Sequence, residues 1–117
     1  MFKTLGRLLL GSMFIFGGAN AFAEPGGRVT KVEDAGIPQA RQATILNAAI
    51  MVVAGTALAA GLLPKFAALL LIGTLIPTTY VGHAYWKEES PASRANQQTQ
   101  FLKNTSMLGG LLLVLSE

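Results

Sequence analysis

Two runs of 21 residues, Ala43–Leu63 and Phe66–Trp86, contain no Asp, Glu, Lys or Arg. At a helical rise of about 1.5 Å per residue, each reaches roughly 31 Å, the thickness of a bilayer's hydrocarbon core. Within hydrocarbon every backbone N–H and C=O must be paired inside the segment, which makes each run a helix. Only 13% of the chain is charged, against about 25% in a soluble domain. Those charges collect in Glu24–Arg41 and Lys87–Gln100. The pattern is that of membrane spans separated by polar loops.

Two further segments extend it. Phe101–Ser116 is apolar apart from Lys103 in its first turn, and it spans if that side chain snorkels or the bilayer thins. Leu5–Ala23 carries only Arg7. With Lys3 and Arg7 before an apolar stretch, and Ala21-Phe22-Ala23 before Glu24-Pro25, it also has the make-up of a signal peptide. Its small residues Gly17, Gly18, Ala19, Ala21 and Ala23 suit a packed transmembrane helix, and retention as the first span is expected. The expected fold is all-α: a single-domain integral membrane four-helix bundle over residues 1–117, with helices at about 5–23, 43–63, 66–86 and 101–116.

The connections differ in kind. Gly61-Leu62-Leu63-Pro64-Lys65 predicts a tight turn joining the two firm spans as an antiparallel hairpin. In the first loop Val29, Val32 and Gly36 or Ile37 recur at helical spacing among Lys31, Glu33 and Asp34, predicting a short helix in the membrane interface. Pro38 is placed to enter the first turn of the second span. Lys87–Gln100 is expected to be a solvated loop. Four spans place both termini on one side, with Lys3, Arg7 and Lys65; Arg28, Lys31, Arg41, Lys87, Arg94 and Lys103 lie on the other. That count puts the two longer loops in the cytoplasm, whereas Lys3 and Arg7 beside the first helix pull the other way.

Composition removes several function classes. With no cysteine, the chain alone makes no disulfide, thiolate metal site or iron–sulfur centre. Its net charge of +3 fits helix ends beside anionic headgroups and is not arranged as a nucleic-acid surface, there being no basic run or aromatic platform. His83 is the sole histidine and cannot build a metal shell by itself. Phosphate loops and nucleophile elbows are lacking. The second to fourth spans hold no acid, against a carboxylate proton relay. No catalytic residue and no cofactor held by the chain itself are expected.

Helices in lipid associate through small residues and buried polar groups. The packing candidates are Gly17 and Gly18 in the first span, Gly55 with Ala59 and Ala57 with Gly61 in the second, and Ser106 with Gly110 in the fourth. Asn20, Asn47 and Asn104 need partners in hydrocarbon. The richest stretch is TTYVGHAYW, Thr78–Trp86, where Thr79, Tyr80, His83 and Trp86 fall on one helical face. Pro77 should loosen that helix and free a carbonyl. A neutral His83 both donates and accepts a hydrogen bond, which suits a quinone carbonyl, a lipid headgroup or a partner protein. The plainer reading makes Tyr80, Tyr85 and Trp86 an interfacial aromatic belt. The ligand- or partner-binding candidates are thus His83, Tyr80, Thr79, Trp86, Asn47, Asn104 and Lys103.

The order of RLLLGSMFIFGG (Arg7–Gly18), Pro25, GIPQA (Gly36–Ala40), AGTALAAGLLPKFAALLL (Ala54–Leu71), PTTYVGHAYW (Pro77–Trp86) and FLKN (Phe101–Asn104) before Gly109-Gly110 resembles the DoxX family of small bacterial membrane proteins. The GHAYW and FLKN segments look like its actinobacterial type. The resemblance covers almost the whole chain. It implies a multi-pass protein of the bacterial plasma membrane, an accessory subunit associated with a redox, quinone-linked membrane complex and not catalytic by itself. It also implies membrane or membrane-associated protein partners; family members are linked to a superoxide dismutase and a sulfurtransferase. Many relatives carry an acid in the second helix near the position of Met51, and this chain departs from them there. Alternatives are a non-redox scaffold, or a small protein binding lipid or hydrophobic solute, with self-association open in each case.

Overall fold

The computed structural model describes residues 1–117, all of its regular structure helical. The elements are α1 (Phe2–Ala23), α2 (Gly26–Asp34), α3 (Ala40–Ala60), α4 (Pro64–Gly82), a single 3₁₀ turn at Tyr85–Lys87, and α5 (Pro91–Leu115). Three segments are long and apolar enough to cross a membrane: Phe2–Ala23, Ala40–Ala60 and Pro64–Lys87. A helix also forms in the first loop, as the spacing of Val29 and Val32 predicts.

The predicted boundaries shift for identifiable reasons. The second span starts earlier, at Ala40, so Pro38 lies before the left-handed Gln39 that precedes the helix rather than in its first turn. It ends at Ala60 in a Schellman turn: Gly61 N–H donates to Leu58 O at 3.1 Å and Leu62 N–H to Ala57 O at 2.8 Å. Gly61 takes φ +74° there, a conformation glycine adopts without penalty. Pro64 then opens α4 at a position where a missing N–H costs nothing. The largest departure is in Lys87–Gln100, expected as a loop. From Pro91 onward it is helix, because Ser90 Oγ accepts from the Ser93 N–H at 3.1 Å and Pro91 occupies the first turn.

α1 and α3 form the most extensive interface. Small residues let their backbones meet. A Cβ on Gly11 would stand 2.6 Å from the Gly55 carbonyl oxygen and 3.0 Å from Ala59 Cβ. A Cβ on Gly18 would stand 2.8 Å from the Ala48 oxygen. Gly110 turns toward Leu10 of α1. Ser106 is exposed and bonds within its own helix to Leu102 O, and Gly61 meets nothing. Those two are therefore not packing positions.

The core is a column of Phe14, Leu58, Leu71 and Leu111, all fully buried. Yet only 18 of 117 residues are buried, while Phe16, Val53 and Leu113 are exposed by 70%, 70% and 71%. Water would penalise such a belt; hydrocarbon does not.

Candidate ligand-binding site

The helices leave a cavity of about 690 Å³ toward the end where α1 meets α2 and α4 meets the 3₁₀ turn. α1 contributes Met13, Phe14, Gly17 and Asn20, α3 contributes Thr44, Asn47 and Met51, α4 contributes Leu75 and Thr78, and His83 follows the end of α4. α5 adds Gln100, Lys103, Asn104 and Met107, and α2 lays Arg28 and Lys31 across the opening.

The consecutive threonines of α4 organise its polar wall. They lie about 100° apart around the helix, so each reaches a different neighbour. Asn47 Nδ2 donates to Thr78 Oγ1 at 2.9 Å, linking α3 to α4. Asn104 Nδ2 donates to Thr79 Oγ1 at 2.9 Å, linking α5 to α4, while Thr79 Oγ1 donates to Leu75 O at 2.7 Å. Asn104 is buried; its amide exchanges a desolvation cost for that bond. Asn47 Nδ2 also points at Met51 Sδ, 3.7 Å away. α4 runs through Pro77, and the missing N–H leaves the Gly73 carbonyl without its usual donor.

α4 stops at Gly82, which overturns the shared helical face of Thr79, Tyr80, His83 and Trp86. Lys31 Nζ donates to the Gly82 carbonyl at 2.8 Å, a cation on the negative end of a helix. His83 lies just past that end, half-buried on the cavity wall. Its Nδ1 is 2.8 Å from Gln97 Oε1 of α5. An N–H at Nδ1 donating to this oxygen leaves Nε2 as acceptor in the neutral ring. Lys103, Lys31 and Arg28 all stand near enough to act on this imidazole electrostatically.

Tyr80 and Trp86 lie elsewhere. Tyr80 is 65% exposed and absent from the cavity wall. It packs on Trp86 with ring centroids 5.6 Å apart, and Trp86 continues edge-on to Tyr85 at 5.3 Å and Phe101 at 6.0 Å. This cluster fastens the 3₁₀ turn to α5.

Of the sequence candidates, the structure therefore brings His83, Asn47, Asn104 and Lys103 to the cavity, holds Thr79 behind its wall, and separates Tyr80 and Trp86 from it. Gln97, Gln100, Thr78, Arg28 and Lys31 were not singled out. The Ser90-Pro91 start signal would have found the two glutamines, since it carries the helix back over them.

An all-helical membrane protein with an open, largely apolar cavity that carries polar groups at one end is the class these features define. A family model, DoxX, matches residues 2–84. The chain belongs to the DoxX family. No curated protein and no solved structure matches it.

Proposed function

We propose that this protein is a non-catalytic membrane subunit that holds an amphipathic small molecule between its helices, within a redox-linked complex of the bacterial plasma membrane. The observation that carries the reading is the cavity's division. Its depth is apolar, at Phe14, Met51 and Leu75, while hydrogen-bonding groups gather at one end, at Asn47, Thr78 and His83. Ligand sites of several hundred Å³ with few convergent polar groups have this form. A quinone in its reduced form is one such molecule: its body is apolar, and a quinol hydroxyl can donate to the free Nε2 of His83.

The redox association rests on the family resemblance of GHAYW and FLKN. The apolar stretch from Phe101 onward in α5 is proposed as the fourth span, with both termini on one side and α2 in the opposite interface. The Arg7–Glu117 ion pair, which ties the two chain ends together, supports that topology. The exposed first turns of α5 support a docking role toward partner proteins.

His83→Ala tests the quinone form of the reading. Loss of one buried hydrogen bond of roughly 1–2 kcal/mol weakens binding about tenfold. Quinone reduction in membranes should fall at equal protein level; an unchanged rate at subsaturating quinone rejects this ligand.

A further inference from the structure

The charge around the cavity narrows the ligand class, an inference that rests on the cavity being a ligand site. We propose that it binds an anionic bilayer lipid, with the phosphate headgroup held by Arg28, Lys31 and Lys103 and an acyl chain laid in the seam between α1 and α5.

Three cations line the cavity and no carboxylate does. Each is bonded only to a neutral acceptor: Arg28 Nη1 to Glu24 O at 3.2 Å, Lys31 Nζ to Gly82 O at 2.8 Å, and Lys103 Nζ to Gln100 Oε1 at 2.8 Å. The structure's one ion pair, Arg7–Glu117, uses none of them. Three positive charges at one opening, none of them in an ion pair, make an anion site, and a phosphate offers enough acceptor oxygens to meet all three.

The tail has a path. α1 and α5 barely touch, and the seam between them widens into a groove of about 620 Å³ lined by Leu9, Leu10, Leu113 and Val114. Met13 and Met107 line both this groove and the cavity, so the two spaces adjoin across a pair of flexible thioethers. A soluble anion would use the cations and leave the groove empty. A bilayer lipid uses both.

The test offers delipidated full-length protein in neutral detergent either phosphatidylglycerol or phosphatidylcholine with the same acyl chains, read by native mass spectrometry. One phosphatidylglycerol per chain should be retained at least about tenfold better than phosphatidylcholine. Lys31→Gln with Lys103→Gln should abolish that preference. Arg28→Gln should reduce it by about fivefold and, at an exposed position of α2, leaves the helix packing untouched. Equal retention of both lipids, lost in a cavity-filling Gly17→Phe protein, would overturn the anionic assignment and leave the ligand cavity standing. Retention indifferent to Gly17→Phe overturns both. Displacement of phosphatidylglycerol by inorganic phosphate overturns the lipid and assigns the cations to a soluble anion.

Discussion

Glycines of this chain differ sharply in what surrounds them, and their neighbours set what substitution does. At Gly18 a new Cβ would lie 2.8 Å from the Ala48 carbonyl oxygen and 2.9 Å from Met51 Cβ. Gly18→Leu must push α1 and α3 apart and should cost about 1–3 kcal/mol. Gly109 faces open space, and Gly109→Leu should be neutral within about 0.5 kcal/mol or slightly stabilising. Unfolding of the two variants in mixed detergent checks the contrast; equal effects would contradict the close crossing. Small-residue spacing made Gly18, Gly55 and Ala59 legible as packing positions. Gly11 was missed, although it makes the tightest approach of all; its seven-residue spacing from Gly18 puts both on one face of α1 and is the signal that could have found it. Gly61 was read both as a packing residue and as the start of the tight turn; it serves the turn, by its positive φ.

Helix identity was easier to read than helix ends. The charge-free runs fix α3 and α4 because hydrocarbon leaves their backbones no other way to pair. Boundaries depend instead on caps and on distant groups. α4 ends four residues before the apolar run does, where Lys31 of α2 reaches the Gly82 carbonyl. Polar composition made Lys87–Gln100 look like a loop, whereas the Ser90 cap and Pro91 start α5 there. That extension places Gln97 beside His83. Ser90→Ala should therefore cost about 1 kcal/mol, fray the first turn of α5 and speed hydrogen exchange at the Arg94 amide, which bonds to Ser90 O at 2.9 Å. Unchanged exchange would mean that packing, not the cap, holds this turn.

The whole molecule is built with its apolar groups both inside and out, and the cavity exists only at this scale. Its wall draws on five helices, so no single periodic pattern discloses it. Asn47, Asn104, His83 and Lys103 were legible as polar groups in apolar surroundings. Their convergence was not, because it depends on the Thr78–Thr79 pair pointing to two neighbouring helices and on α2 folding over the opening. Arg28 had been read only as loop charge, and Lys31 as the polar side of the short helix in the first loop.

The central claim is that this cavity holds an amphipathic molecule. The most direct measurement is the mass of the protein released intact from gently solubilised native membranes, for the wild type and for Gly17→Phe. A Cβ at Gly17 meets only Met51 Cε, at 3.7 Å, so the larger side chain has room to enter the cavity. The account predicts one bound amphiphile per wild-type chain and none in Gly17→Phe. A bare wild-type mass under conditions that keep the fold, or an amphiphile that persists in Gly17→Phe, would contradict it.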